Sequence, residues 1–128
     1  MQAEQTDTAP MSDFCARFHR VSGMIGKRWA PSILRVLLVR PRRFNELLHS
    51  IPGISDRLLT ERLRDLEESG LVLREVTHGR PVQVEYSLTE PGRDLGHVVV
   101  ALREWTEKWM PSEGWPLPSA GLAATPQD

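Results

Sequence analysis

The sequence predicts a small α+β domain that is mostly helical: a helix-turn-helix followed by a β-hairpin, with a further helix on either side. Three observations lead there. Apolar residues recur at intervals of three and four through several stretches, Pro and Gly punctuate those stretches, and Val82, Val84, Tyr86 and Leu88 alternate with Gln83, Glu85 and Ser87 as in a strand. A chain of 128 residues, 40% hydrophobic and 26% charged, can bury one core and hardly two. That core is expected within residues 12–113, between a disordered N-terminal arm (1–11) and a flexible C-terminal tail (114–128) that lack periodicity.

Ser12 or Asp13 can cap a first helix running from Phe14 to about Ile25, with Phe14, Phe18, Val21 and Ile25 at spacings of four, three and four. Gly26 ends it. Pro31 is tolerated in the first turn of a second helix with Ile33, Leu34, Leu37 and Leu38 on its apolar face, and Pro41 stops that helix. A third, about Phe44 to Ser50, buries Phe44, Leu47 and Leu48 before Pro52-Gly53 forces a turn, with Ile51 or Ile54 beneath it.

The fourth helix carries the most information. Ser55 is its natural cap, Asp56 suits the positive end of the dipole, and Gly70 fits the left-handed residue after the last turn, so the helix spans about Asp56 to Ser69. At 100° per residue Leu59, Leu63 and Leu66 point one way, while Arg57, Thr60, Glu61 and Arg64 share the opposite face. Arginines so placed make forked hydrogen bonds to guanine or phosphate, and Ser55 and Thr60 can donate to phosphate oxygens or meet base edges. Glu61 either accepts from a cytosine amino group or, as favoured here, pairs with Arg57 or Arg64 one turn away. LVLREVT and VQVEYSL then form a hairpin turning at His78-Gly79-Arg80-Pro81, and Arg80 at the tip can enter a minor groove or hold a phosphate.

The formal net charge of −1 conceals an uneven distribution. Residues 20–80 hold 12 Lys or Arg against 7 Asp or Glu, so basic charge concentrates on the candidate DNA-contacting region. The longest apolar run, Val98 to Leu102, is far too short to span a bilayer, and no signal sequence opens the chain, so a cytosolic protein is expected. The single cysteine excludes an intrachain disulfide.

A last helix, about Gly92 to Met110, carries Leu95, Val98, Leu102, Trp105 and Trp109 in a heptad-like seam. With the similar seam on the first helix, this suggests burial against a second copy, whose two-fold symmetry would present two recognition helices about 34 Å apart. The alternative is that both helices complete the monomer core.

Together GKRWAPSILRVLL, RRFNELLHSIPGIS, LLTERLRDLEESGLVLREV and YSLTEPGRDL resemble, segment by segment, the HxlR-type winged helix-turn-helix regulators of bacteria, relatives of the MarR group. The resemblance covers about Cys15 to Glu113. It implies a winged helix-turn-helix with N- and C-terminal dimerisation helices, and a homodimer on a pseudo-palindromic double-stranded DNA operator, usually repressing a neighbouring gene. By the family pattern Arg43, Ser55, Arg57, Thr60, Arg64 and Arg80 face the DNA. Some members sense oxidants or electrophiles through a cysteine at the place of Cys15. Here Cys15 falls in the first turn of a helix, where the dipole favours an anion, with Arg17 close by and His19 one turn on. Oxidation, including a bridge between the two Cys15 residues of a dimer, would alter operator binding; the competing role is a small apolar side chain in the interface.

Two other classes stay open. A regulator responding to a small molecule would use an apolar pocket walled by Trp29, Trp105 and Trp109, and a winged-helix protein-interaction module would bind no particular DNA sequence. No metal or cofactor is expected, since Cys15 and His19 have no second ligand pair at zinc-like spacing among His49, His78 and His97 and no phosphate-binding glycine loop occurs. Nor is an enzyme, since no nucleophile, base and orienting group are visible together.

Overall fold

The structure, a computed structural model, describes residues 13–110 and residue 112. The arm expected over residues 1–11, the tail expected over 114–128 and the candidate cap Ser12 lie outside the described residues. In chain order the elements are α1 (Asp13–Ile25), α2 (Ala30–Val39), β1 (Arg42–Arg43), α3 (Phe44–Ser50), α4 (Asp56–Glu68), β2 (Val72–Thr77), β3 (Gln83–Leu88) and α5 (Glu90–Trp109). This is the winged helix-turn-helix arrangement. Among the described residues no helix is long and apolar enough to cross a membrane.

The core gathers where these periodicities converge. Ile33, Leu34 and Leu37 of α2, Leu47 of α3, and Leu59 and Leu66 of α4 are almost fully buried, with Ile51 and Ile54 closing the turn between α3 and α4. Burying a side chain of this size contributes about 1.5–3 kcal/mol, so this cluster is the main support of the three-helix lobe formed by α2, α3 and α4. Along one side runs an antiparallel sheet of strand order β1-β3-β2, with Val72 opposite Leu88 and Arg74 opposite Tyr86, while Arg42 pairs with Tyr86 from the other edge. The strand β1 is too short for any periodicity and was not expected. Its pleat sends Arg42 inward, where Nη1 donates to Ser50 Oγ at 3.0 Å, and Arg43 outward.

Several boundaries differ from expectation, each for a local reason. Asp13 lies inside α1, in its first turn, rather than capping it, and its carboxylate accepts from Arg17 Nε at 3.1 Å. The cap position of α2 is Trp29, in the left-handed region at φ 78°; Pro31 then falls in the first turn as expected. The last helix begins at Glu90, two residues early, because Thr89 Oγ1 accepts from the Gly92 N–H at 3.1 Å and Pro91 suits a first turn. Val82 stands outside β3 and is exposed.

The two terminal helices give the core Val99, with Met24, Ile25 and Leu95 packed against it, but leave much of their apolar seams uncovered in the protomer. In α1 no residue is buried, and Phe14 and Phe18 stand 64% and 60% exposed with their rings stacked at 6.1 Å between centroids. On α5 only Gly92, Gly96 and Val99 are buried, whereas Val98, Leu102 and Trp105 are 53%, 51% and 46% exposed.

Candidate nucleic-acid interface

The helix α4 is built by its two ends. At the N-terminus Ser55 is extended and its Oγ accepts from the Leu58 N–H at 3.1 Å, satisfying one of the donors that a helix start leaves open. At the C-terminus Gly70 adopts φ +80°, which lets the Gly70 N–H reach the Glu67 carbonyl at 3.0 Å and the Leu71 N–H reach the Leu66 carbonyl at 3.0 Å. That closure is the Schellman pattern, and only glycine adopts the required φ without strain. The turn before α4 also places a glycine in the left-handed region, Gly53 at φ +94°.

Between these ends the two faces separate as the helical period requires. Leu59, Leu63 and Leu66 are buried, while Arg57, Thr60, Glu61 and Arg64 are exposed together on the outward face. Thr60 Oγ1 donates to the Asp56 carbonyl at 2.8 Å, which fixes its rotamer. Contrary to the expectation from helical spacing, Glu61 pairs with neither Arg57 nor Arg64; its carboxylate meets Arg62 Nη1 at 3.8 Å. A glutamate within reach of its immediate neighbour, whose guanidinium lies back towards the protein, leaves Arg57 and Arg64 uncompensated by it.

The remaining candidates lie on both sides of this helix in sequence. Arg43, the residue before α3, is exposed, and its backbone N–H donates to Glu46 Oε1 at 2.9 Å. That hydrogen bond, aided by the charges of Arg40, Arg43 and Arg42, holds the Glu46 carboxyl below the usual carboxylate range despite some opposing desolvation. Because the folded-state value is depressed, the stabilisation from Glu46 is present above the ordinary glutamate range and is lost as pH falls through the lowered value. Replacing Glu46 with Gln is expected to flatten that part of the stability profile measured by urea unfolding between about pH 3 and 6; an unchanged profile would assign the acid dependence elsewhere.

Arg80 lies in the exposed turn between β2 and β3. A groove of about 380 Å³ joins the start of α3 to the turn end of β3 and is lined by Arg43, Phe44, Asn45, Glu46 and residues 81–84. Asn45 and Gln83 thereby join Arg43 on one surface, which the sequence did not reveal because their positions are 38 residues apart. Cys15 is exposed in the first turn of α1. The Arg17 guanidinium, expected near it, is engaged by Asp13.

The seam residues divide into two groups. Phe14, Phe18, Val98, Leu102 and Trp105 are exposed, and Val21, Leu95 and Trp109 are half-buried. Val21 of α1 and Leu95 and Val98 of α5 line one apolar groove, which joins part of the two seams. The pocket walled by three tryptophans is not among the described grooves. The groove between α2 and α5 is lined instead by Pro31, Ser32, Arg35, Val99, Leu102, Arg103 and Thr106, while Trp29 packs against the core beside Gly53.

Known proteins share both the sequence and this arrangement. Residues 24–114 match the family described as HxlR-like helix-turn-helix. The HTH-type transcriptional regulator YvaP of Bacillus subtilis is 37% identical over 99 residues, 77% of this chain and 92% of that protein. The reduced form of the transcriptional regulator YodB from B. subtilis superposes with a TM-score of 0.68 at 34% identity, covering 82% of this chain and 100% of that one. The redox regulator HypR in its oxidised form does so with a TM-score of 0.68 at 40% identity, covering 72% and 95%. With residues 24–114 matching that family and a relative 37% identical over 92% of its own length, this chain belongs to the HxlR family of helix-turn-helix transcriptional regulators.

Proposed function

We propose that the protein is a homodimeric repressor that binds a pseudo-palindromic operator and responds to oxidants or electrophiles through Cys15. The observation that carries the DNA-reading part is the outward face of α4, where Arg57, Thr60 and Arg64 are exposed above a fully packed leucine face. In this reading α4 lies in the major groove, Arg57 and Arg64 meet guanine edges or phosphates, Ser55 and Arg43 approach the backbone, and Arg80 reaches along the adjacent minor groove. The exposed seams of α1 and α5 close the dimer through Phe14, Phe18, Val21, Leu95, Val98, Leu102, Trp105 and Trp109.

The sensing part draws on the similarity to YodB, solved in its reduced form, and to the redox regulator HypR. With one cysteine per chain, oxidation by diamide joins the Cys15 thiols of two protomers, or one Cys15 to a small thiol. Two thiols form one S–S bond, and their two electrons and two protons pass to diamide, which becomes the hydrazine. Because Cys15 and the seam share α1, such a bond changes the dimer geometry that sets the spacing of the recognition helices.

The test is binding of the full chain to DNA upstream of its own and its divergent neighbour's gene, across salt concentrations, with and without diamide. Selective binding that weakens steeply with salt is expected. Arg57→Ala or Arg64→Ala should reduce selectivity by about tenfold, consistent with losing a base contact. Diamide should change operator affinity in the wild type and not in Cys15→Ser; a Cys15→Ser protein that still responds would remove the sensor.

A further inference from the structure

One arginine of the recognition helix faces away from its reading surface. Arg62 flanks the buried leucine stripe, and its side chain is only 17% exposed. Its Nε donates to the Arg28 carbonyl at 2.8 Å, and its Nη1 lies 3.4 Å from Asp65 Oδ2. The same Asp65 oxygen accepts from Lys27 Nζ at 3.2 Å. Lys27 and Arg28 belong to the short junction between α1 and α2. The next residue of that junction is Trp29, held at φ 78°, with the Arg28 guanidinium 4.9 Å above its ring and its far edge against Gly53 in the turn that leads to α4. Three consecutive junction residues thus contact the recognition helix or the turn preceding it.

We propose that Arg62 and Asp65 are positioning residues: they fasten α4 to the α1–α2 junction and set the angle at which the helix is presented to DNA. This rests on α4 being the reading helix. A planar guanidinium holding a backbone carbonyl through Nε and a carboxylate through Nη1 fixes both direction and distance, which a lysine ammonium cannot reproduce. The leucine face alone leaves a helix free to adjust by small rolls and shifts, since apolar packing is not directional. The ties to Arg28 and Lys27 restrict that freedom.

The assignment is tested with the full-length protein on two fluorescent duplexes, one chosen from a random pool by the wild type and one scrambled. For Arg62→Lys the ratio of operator to scrambled affinity is expected to fall about tenfold, as for loss of a coupled contact. Scrambled-DNA affinity, salt dependence and melting temperature should stay at wild-type values. Asp65→Asn, which removes the Lys27 pair and weakens the hold on Arg62, should lower the same ratio and serves as the second variant should Arg62→Lys unfold. A drop in both affinities together, with the logarithmic salt slope reduced by about one, would make Arg62 a direct phosphate contact and overturn the proposal. An unchanged ratio in both variants would overturn it too. With Arg57→Ala in parallel, an unchanged ratio there overturns the reading helix itself, whereas a lowered ratio there with an unchanged one for Arg62→Lys and Asp65→Asn overturns only the positioning role.

Discussion

Replacing Gly92 with alanine is expected to lower the melting temperature by on the order of 10–20 °C, from an overpacking cost of about 3 kcal/mol. Gly92 sits in the first turn of α5, where the helix docks edge-on against the chain leaving α4. A methyl group there would overlap the Leu71 carbonyl oxygen and lie 2.9 Å from its carbon. Neither side can give way easily. The Leu71 carbonyl is held by the Thr89 N–H at 3.0 Å, and Thr89 Oγ1 donates to the Gly70 carbonyl at 2.6 Å while accepting from Gly92 itself. Leu71 is buried, so the clash would be passed to the core and to the closure of α4. Gly23 is the internal contrast: a methyl added there meets nothing within 4 Å, and Gly23→Ala should stabilise the helix by about 0.5–1 kcal/mol. Circular dichroism during thermal unfolding measures both. A melting temperature for Gly92→Ala within a few degrees of wild type would show that the docked turn relaxes.

The double substitution Val98→Gln, Leu102→Gln is expected to convert the proposed dimer to monomers and to weaken operator binding by about a hundredfold or more, the scale of avidity lost when two linked sites become one. Both side chains are about half exposed on the protomer, so removing them opens no core cavity. Glutamine keeps the formal charge, which leaves the field around the DNA-binding surface unchanged. The loss should therefore appear in operator affinity and in sedimentation velocity, with scrambled-DNA binding per protomer retained. A double variant that sediments as the wild type would place the interface elsewhere than on the α5 seam.

Local chemistry made much of this fold legible. The limits of α3 and α4 follow from Pro52-Gly53, Ser55 and Gly70, residues whose backbone preferences act within a turn or two of chain. The leucine and arginine faces of α4 followed from helical period alone, and the exposure of Phe14, Phe18, Val98 and Leu102 agrees with seams that the monomer cannot cover. What escaped depends on contacts between distant residues. Two-residue β1 has no pattern of its own and forms only because β3 offers an edge. No local pattern links Lys27 to Asp65, 38 residues away, which the fold brings to 3.2 Å. Glu61 was paired on helical spacing with the wrong arginines because Arg62 is drawn inward by a carbonyl of another element. Trp29 gave no sign of its left-handed backbone, since nothing local favours that conformation in a bulky residue. Thr89 did carry a sign, a capping hydroxyl three residues before Gly92 and directly before Glu90-Pro91.

The absence of any buried residue in α1 bears on how much of the protein a cell must hold. A 13-residue helix is marginal in water without packing, and Met24 and Ile25 at its end pack against the protomer core, so in the proposed dimer the first turns of α1 take their order from the other subunit. Folding of α1 then obeys mass action: dilution yields monomers with a frayed first helix, and accumulation restores it. Frayed termini are preferred cleavage sites for proteases, so scarce protomers would be removed faster than abundant ones. In the proposed dimer, DNA occupancy would then fall more sharply than in proportion to copy number, a threshold in dose set by a helix rather than by the DNA site.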